Sequence, residues 1–408
     1  EKLDAFGVGH QGAGDVQVGP PVRRAVHVGL DRDRPFRLDG PVDPPIAALL
    51  EAAHGLGLPD CPDMNIPDPI GVCASPYNWR NGRRHSVVDA YLDPSRRRAN
   101  LHILAETSVT RIILHGRRAI GVEVRQGRSI QPVFADQIVL AAGVYHSPQL
   151  LLLSGIGSPA AIEPFGLKVQ HRLDGVGKNH RDHAVIYVTY KGAQDLREDY
   201  VIPKVRLIAK SDDRLDRPDL HVFLRPSIRM PGLPRMLPVS VHLLEHRSSG
   251  HVSLASADPS DLPVVDAGLL RDPDDIRALV DGIHFADRLV HHPALAVYYG
   301  ELLTPSTIRE SHEHVLTAYD SYHHGVGTCR LGVVSDPEAV VDEKLRVHGL
   351  DRLWVADASV LPSQPGNTMA PSIGVGAMAA RIIASEAGPR PVDSASPPDS
   401  SLRQLGRD

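Results

Sequence analysis

The stretch at positions 137–158, QIVLAAGVYHSPQLLLLSGIGS, restricts the possible folds of this chain more than any other part of it. Its first seven residues are almost all apolar, which is typical of a β-strand covered on both faces. Ser147 is a suitable N-cap for a helix that begins at Pro148, and Gly155 and Gly157 are suitable residues to end it. A buried strand that leads directly into an apolar helix predicts a mixed α/β fold.

The junction between this strand and this helix has two interpretations, which the pattern supports equally. A strand, Gly143 and a capped helix together can present backbone N–H groups to an anionic or polar group of a cofactor. The same order also describes an ordinary β–α corner in which the glycines serve packing.

A second glycine cluster lies near the start of the sequence. Gly7, Gly9 and Gly12 have the G-x-G-x-x-G spacing of dinucleotide-binding loops, which need a hydrophobic strand before them and an amphipathic helix after them. Here EKLDAF precedes the glycines, and a stretch with two prolines and two glycines follows them. Positions 1–44 are therefore interpreted as an irregular leader and not as a dinucleotide fold.

The rest of the sequence alternates between strand-like and helical patterns. Positions 109–114 and 120–125 are β-type runs on either side of an HGRR turn, and they predict a β-hairpin. Between 184 and 320, alternating runs such as VIYVTYKG and HVSLASA predict an antiparallel sheet. One clear helix is expected there, with acidic residues at its start from position 272 and Pro293 at its end.

Charge and hydropathy argue against two classes of partner. The chain has 44 Lys and Arg residues against 49 Asp and Glu residues, a net charge of −5, so it lacks the basic excess of nucleic-acid-binding proteins. Its most apolar stretches, at 138–143 and 150–153, are far too short to span a membrane. Neither nucleic acid nor a membrane span is expected.

The cysteines indicate a compartment. Only Cys61, Cys73 and Cys329 occur, an odd and sparse set that argues against a disulfide scaffold and fits a reducing environment. The first residues also lack the pattern of a signal peptide. We therefore expect a cytoplasmic protein.

The segment 321–332, SYHHGVGTCRLG, raises three chemical possibilities: a metal site, a nucleophile and a proton acceptor. Adjacent side chains point in different directions on a strand or a helix, so His323 and His324 are poor joint ligands for one metal, and no metal is expected. Cys329 lacks an evident base, and a lone cysteine in an apolar turn is more often a small buried hydrophobe. A histidine that accepts a proton, held by the glycine turn behind it, is the remaining functional interpretation.

Several long motifs in the same order resemble one family. YHHGVGTCRLG, the later stretch VVDEKLRVHGLDRLWVADASVLPSQPGNTMAPSIGVGAMAARII and the segment GVYHSPQLLLLSGIG closely resemble the glucose–methanol–choline (GMC) oxidoreductases, which are FAD-dependent alcohol oxidases and dehydrogenases. The resemblance runs from about Pro45 to Ile383, and Val144 departs from it because a smaller or polar residue is usual there.

The resemblance implies a domain order. It implies a Rossmann-like FAD-binding part over 45–183, an antiparallel-sheet substrate domain over 184–320, and a return to the FAD domain over 321–386. The Pro/Ser-rich residues 387–408 are expected to form a disordered tail. The implied cofactor is FAD and the implied substrate is a small-molecule alcohol, whereas the sequence assigns neither the alcohol nor the electron acceptor.

The resemblance also implies the site residues. It makes His324 the general base, with His323 structural, and it makes Asn367 the catalytic partner, although Asn367 is also a suitable N-cap for the helix after it. The FAD-binding positions that it implies are Val109, Ala142, Gly143, Asp357, Ala358 and Thr368. Without the resemblance, Val109 and the segment around Asp357 would be assigned to plain strand packing.

One departure from the family leaves alternatives open. Family members normally begin with a βαβ dinucleotide fold, which this sequence does not show, so we expect it to bind FAD weakly. Two other functions therefore stand beside alcohol oxidation. One is a hydroxynitrile lyase of the same family, in which FAD is structural, and the other is a non-catalytic remnant that does not hold FAD.

Overall fold

The computed structural model of the protein describes residues 44–80, 83–193, 205–364 and 366–387. Its α-helices are α1 (Pro44–Gly55), α2 (Asp93–Ser95), α3 (Gly143–Leu153), α4 (Pro159–Ile162), α5 (Pro273–Val290), α6 (Pro293–Ala296), α7 (Ser311–Ala318) and α8 (Met369–Ala387). The expected leader, 1–44, and the expected tail, 387–408, lie outside the described residues except for Pro44, which begins α1, and Ala387, which ends α8.

The strands, in chain order, are β1 (Asp60–Cys61), β2 (Gly71–Ala74), β3 (Trp79–Arg80), β4 (Arg83–Arg84), β5 (Ser108–His115), β6 (Arg118–Gln126), β7 (Ser129–Phe134), β8 (Ile138–Leu140), β9 (Ile156–Gly157), β10 (His171–Arg172), β11 (Ala184–Gly192), β12 (Val205–Ala209), β13 (Leu220–Leu224), β14 (Met236–Leu243), β15 (His251–Ser253), β16 (Val264–Asp266), β17 (Tyr299–Thr304), β18 (Asp320–Ser321) and β19 (Leu353–Val355). The combination of helices and strands confirms the predicted mixed α/β class.

A large sheet organises the first of two cores. Its strands follow the order β1-β2-β12-β13-β14-β11-β17, with β18 paired to β11, and its pairs are antiparallel except for β1 with β2. In β14, alternate residues from Leu237 to Leu243 are buried in an apolar core with α1 and α5, while Ser240 and His242 occupy the intervening positions. The polar side chains of the central strands therefore share the opposite face.

Helix α5 confirms the helix predicted after position 272. Asp272 lies just before it and accepts a hydrogen bond from the backbone N–H of Asp274 at 2.8 Å, which satisfies one of the free donors at the helix start. Leu279, Ile283 and Ala286 are fully buried against the sheet because they repeat at helical spacing.

The second core combines a hairpin, a parallel pair and two helices. The predicted hairpin is confirmed as β5 and β6, and β7 adds a third antiparallel strand that the sequence pattern did not reveal. Strand β8 pairs in parallel with β19, and α3 and α8 pack in the same apolar cluster. The predicted buried strand at 138–140 is thus confirmed.

The helix after this strand begins earlier than the sequence predicts. Helix α3 starts at Gly143, so Ser147 is not its N-cap and lies inside it with Pro148. The Ser147 hydroxyl accepts from the N–H of Ala142 at 3.1 Å and donates to Asp357 at 2.5 Å, while the N–H of Gly143 donates to the same Asp357 oxygen at 2.9 Å. A carboxylate from a distant segment therefore replaces the expected local cap.

Pro148 is tolerated inside α3 because another residue satisfies the carbonyl that it leaves free. A proline cannot donate to the carbonyl four residues earlier, which here belongs to Val144. The Thr328 hydroxyl donates to the Val144 carbonyl at 2.6 Å instead. At the other end, Gly155 has φ +76°, and a Cβ there would lie 2.3 Å from the Lys168 carbonyl oxygen, so glycine is required where the helix ends.

The first described segments of the chain contribute to the core of the large sheet. Helix α1 and strand β2 lie within 45–183, yet they pack with the large sheet, because Ile46, Leu49 and Val72 belong to its apolar core. The expected domain boundaries stay predictions. No helix in the described part of the chain is long and apolar enough to cross a membrane.

Candidate active site

His324 lies in the loop after β18 and is fixed through its backbone. Its N–H donates to buried Asp182 at 2.8 Å, and its carbonyl accepts from the Gln364 side chain at 3.1 Å. Behind it, Gly327 has φ +91°, and a Cβ there would lie 2.2 Å from the Asn179 carbonyl oxygen. The glycine turn therefore lets the loop pack closely against the segment before β11.

The structure brings the two predicted catalytic residues together. The Nδ2 atom of Asn367 lies 3.2 Å from Nε2 of His324. The Asn367 Oδ1 atom accepts from the backbone N–H of Met369 at 3.0 Å, at the start of α8. Asn367 thus caps the helix and contacts His324, as expected from its two interpretations.

His323 is exposed, in contrast to His324. Its φ is +60°, and its backbone N–H donates to the Ser321 hydroxyl at 3.0 Å. Within the described ranges, no group of three or more His, Cys, Asp or Glu side chains is arranged to hold a metal ion.

Histidines that the sequence analysis did not select surround His324. The Nδ1 atom of His183 lies 3.2 Å from Nδ1 of His324, and the rings of Tyr322 and His324 have centroids 4.2 Å apart. His242 lies 3.9 Å from Tyr322, centroid to centroid, on the polar face of the large sheet. With 22 histidines in the chain, the sequence signal for His183 is its place in DGVGKNHRDH, residues 174–183, a segment that also resembles the GMC oxidoreductases.

Burial keeps these imidazoles neutral. Desolvation lowers the pKa of His324 to about 4 and that of His221 to about 3. Burial, together with the neighbouring histidines, also holds the pKa values of His183 and His242 well below the ordinary value. His324 therefore has an unprotonated nitrogen at neutral pH, as a general base needs.

Gln364 is a second residue that sequence reasoning missed. Its amide nitrogen donates to the His324 carbonyl at 3.1 Å, and its amide oxygen is hydrogen-bonded to Nε2 of His246. Nδ1 of His246 lies 2.8 Å from the Ser248 carbonyl oxygen. This chain of contacts ties the His324 loop to the end of β14.

A cavity of about 810 Å³ lies beside Asn367. Asn367 and Gln364 line it from one side, and Arg206 and His221 from the large sheet line it from another. The Arg206 Nε atom donates to the Ser75 hydroxyl at 3.0 Å, and its guanidinium carbon lies 4.8 Å from the centre of the Phe223 ring. A cavity of this size holds a small organic molecule.

Asp357 and Ala358 lie where β19 ends and a short 3₁₀ helix, Ala358–Val360, begins. One oxygen of Asp357 accepts from the Ser359 N–H at 2.8 Å, and the other accepts from Gly143 and Ser147. The N–H groups of Ala142 and Gly143 are thus hydrogen-bonded within the protein. They do not serve as free donors for a cofactor phosphate, which favours the β–α corner interpretation of this junction.

Val109 and Ala142 line a separate, apolar cavity of about 630 Å³ between β8, the hairpin and α8. Apolar walls of this kind suit a flat aromatic ring. Gly376 of α8 also lines it, and a Cβ at Gly374 or Gly376 would meet no described atom within 4 Å. The Thr368 carbonyl accepts from the N–H of Ser372 at 3.0 Å, inside the first turn of α8.

Cys329 is a buried structural residue. Its side chain is fully buried, and burial raises the pKa of its thiol far above the ordinary value. Its backbone N–H donates to the Ser359 carbonyl at 2.9 Å. The structure therefore supports a small hydrophobe at this position and not a nucleophile.

Sequence comparisons match this chain to one family. Two models described as GMC oxidoreductase match residues 40–185 and 246–376. Choline dehydrogenase, mitochondrial, of Homo sapiens is 32% identical over 86% of this chain and 65% of its own length. Glucose dehydrogenase [FAD, quinone] of Drosophila melanogaster is 30% identical over 84% of this chain and 62% of its own length. An uncharacterized GMC-type oxidoreductase of Mycobacterium tuberculosis is 33% identical over 83% of this chain and 70% of its own length.

Comparison with solved structures gives a consistent result. Pyridoxine 4-oxidase from Mesorbium loti has a TM-score of 0.76 and 29% identity, and it matches 83% of this chain and 69% of its own. Formate oxidase of Aspergillus oryzae RIB40, at 23% identity and a TM-score of 0.74, shares the fold. The chain spans less than two thirds of the length of the choline and glucose dehydrogenases that it matches. These matches, together with the motif order and the fold, show that the chain belongs to the GMC oxidoreductase family.

Proposed function

We propose that the protein is an FAD-dependent oxidoreductase that acts on the CH–OH group of a small alcohol, with His324 as the general base. The observation that carries the proposal is the contact of 3.2 Å between His324 and Asn367, of which Asn367 lines a cavity. The relatives support it, because choline, glucose and pyridoxine all carry hydroxyl groups.

The roles of the two residues follow from their chemistry. An alcohol that binds between them replaces the direct Asn367–His324 hydrogen bond: the Asn367 amide then donates to the alcohol oxygen, and Nε2 of His324 accepts the hydroxyl proton. FAD, when bound, supplies the acceptor for the hydride of the carbinol carbon, which leaves a carbonyl product. Because both residues are fixed through backbone contacts, they are already in place for an incoming hydroxyl group.

The chain offers apolar surface for the cofactor. Val109 and Ala142 in the smaller cavity fit an aromatic ring, and Asp357, Ala358 and Thr368 are proposed as further FAD contacts. At Ala142 and Gly143, contact would involve Cα atoms and carbonyl groups, since their N–H groups are already hydrogen-bonded. A cytoplasmic location stays a proposal, supported by the three free thiols.

The experiment is a flavin titration followed by anaerobic reduction. Binding of FAD to the purified 408-residue chain is measured by titration, and a panel of primary alcohols is then added with excess FAD still present. Bleaching of the flavin absorbance by an alcohol supports the proposal. Release of an aldehyde from a hydroxynitrile without bleaching would establish lyase activity instead, and absence of binding even at saturating FAD would support a non-catalytic remnant.

A further inference from the structure

The contact between His183 and His324 constrains which nitrogen of His324 carries the proton. Their two Nδ1 atoms are 3.2 Å apart, which is hydrogen-bonding distance. A hydrogen bond between two ring nitrogens needs one donor and one acceptor, so only one of the two Nδ1 atoms is protonated.

The direction of this hydrogen bond follows from the other end of the network. The backbone N–H of Met369 is always a donor, so the Asn367 atom 3.0 Å from it must be the amide oxygen. The Asn367 atom that faces Nε2 of His324 at 3.2 Å is then the NH₂ group, which only donates. Nε2 of His324 must therefore carry a lone pair and no proton.

A neutral His324 with an unprotonated Nε2 is protonated at Nδ1. The His324 Nδ1 proton points at Nδ1 of His183, which must therefore accept it. His183 can accept because it is neutral: its side chain is fully buried, and burial and the adjacent His324 hold its pKa well below the ordinary value.

The opposite arrangement would place two hydrogen-bond donors against each other. If His183 donated to His324, the proton of His324 would move to Nε2 and would face the NH₂ group of Asn367 at 3.2 Å. Rotating the Asn367 amide to relieve that contact would place NH₂ against the Met369 N–H. The observed partners therefore favour one tautomer throughout, in which Nε2 of His183 is protonated and has no partner among the described residues.

We propose that His183 is a positioning residue for His324, because its Nδ1 accepts the Nδ1 proton of His324 and keeps the lone pair of His324 on Nε2, beside Asn367. This inference rests on the proposed function of His324 as the base. His183 is fully buried, and it acts by fixing the tautomer and the ring orientation of His324.

The direct test is a tautomer measurement on the whole chain. Protein labelled with ¹⁵N in its histidine rings is studied by long-range ¹H–¹⁵N correlation near neutral pH, and the His324 signals are assigned by their loss in His324→Gln. We expect the pattern of a ring protonated at Nδ1 and unprotonated at Nε2. A His324 ring protonated at Nε2 would overturn the inference without any measurement of activity.

Two variants of similar size test the role of the acceptor. Asparagine can place its side-chain oxygen near the position of a histidine Nδ1, whereas leucine has no acceptor. We expect His183→Leu to lower the rate of flavin reduction about tenfold, the scale of one lost hydrogen bond, and to shift His324 toward the Nε2-protonated form. His183→Asn should restore the Nδ1-protonated form and most of the rate.

Two outcomes count against the inference. Equal losses of rate in His183→Leu and His183→Asn, with an unchanged His324 tautomer in both, would make His183 merely a packing residue. If the tautomer behaves as expected but His324→Gln still reduces flavin normally, the proposed function fails while the hydrogen-bond direction stands. The two failures are therefore distinguishable.

Discussion

His324 and Asn367 are 43 positions apart in the chain, yet their Nε2 and Nδ2 atoms are separated by 3.2 Å. Different elements hold the two residues: His324 lies in the loop that Asp182 anchors, and Asn367 lies at the start of α8. Each residue is thus fixed through its own backbone or cap contact. A substitution at one of them leaves the other in place, so their contributions can be measured separately.

Replacing the base should have a much larger effect than replacing its neighbour in sequence. We expect His324→Gln to lower the rate of flavin reduction by roughly two to four orders of magnitude, the usual scale for a positioned base. His323→Asn is the matched control, because His323 is exposed and asparagine tolerates its φ of +60°. Anaerobic stopped-flow absorbance measures the rate of flavin reduction in both variants. Equal losses of rate would show that His324 is wrongly assigned as the base.

Substitutions at Asn367 should separate its two roles. Asn367→Asp keeps an oxygen for the Met369 N–H but removes the amide donor, so thermal stability should change little while flavin reduction falls. A carboxylate there should also raise the pKa of His324. Asn367→Ala should additionally lose about 1 kcal/mol of stability, since the cap of α8 is removed. An Asn367→Asp variant as active as the parent would contradict the proposed donor role.

The rate of flavin reduction should depend on pH in one direction. His324 must be neutral to accept a proton, and burial lowers its pKa to about 4 against the opposing charge of Asp182. The rate should therefore stay level above that pH and fall as His324 becomes protonated below it. Rapid pH-jump mixing limits unfolding during the measurement. A decline centred near the ordinary histidine pKa of about 6.5 would show that burial does not lower the pKa of His324.

The folded state should lose stability in mild acid. His183, His221 and His242 have folded pKa values below the unfolded value, that of His221 being about 3. Their contribution to the free energy of unfolding is complete above about pH 6.5. Below that pH only the unfolded chain takes up protons, so the free energy of unfolding falls by roughly 1.4 kcal/mol per pH unit for each histidine. Urea unfolding across this range measures the slope. His221→Asn should reduce the proton uptake on unfolding by about one proton. An unchanged slope of the free energy of unfolding against pH would contradict this account.

Asp357 should stabilise the junction between β8 and α3. Its two oxygens accept from Ser359 on one side and from Gly143 and Ser147 on the other. Asparagine has a single amide oxygen, so either orientation of Asp357→Asn places NH₂ against a donor and should cost about 1–3 kcal/mol. Ser147→Ala removes one donor and should cost less. Urea unfolding of both single variants and of the double variant measures their coupling, which should be clearly non-zero.

Local patterns in the sequence predicted much of the fold. The strand at 138–140, the hairpin of β5 and β6, and helix α5 follow from periodicity and caps within a few residues. The start of α3 was wrong because its capping carboxylate, Asp357, lies 210 positions beyond Ser147. No local rule finds such a partner.

The site was predicted unevenly for the same reason. Family motifs identified His324 and Asn367, whereas periodicity alone offered no reason to pair them. His183 and Gln364 were missed, because a histidine or an amide becomes informative only when folding places its partner beside it. The free N–H groups expected at Gly143 were likewise taken up by a remote side chain.

The distance along the chain between Gly143 and Asp357 has a consequence for synthesis on the ribosome. The two residues are 214 positions apart, so at bacterial or eukaryotic elongation rates about 10 to 40 s pass between their synthesis. During that interval, the apolar strand β8 has no β19 to pair with and α3 has no carboxylate at its start. The second core is thus completed late, and its nascent apolar segments are natural binding sites for chaperones.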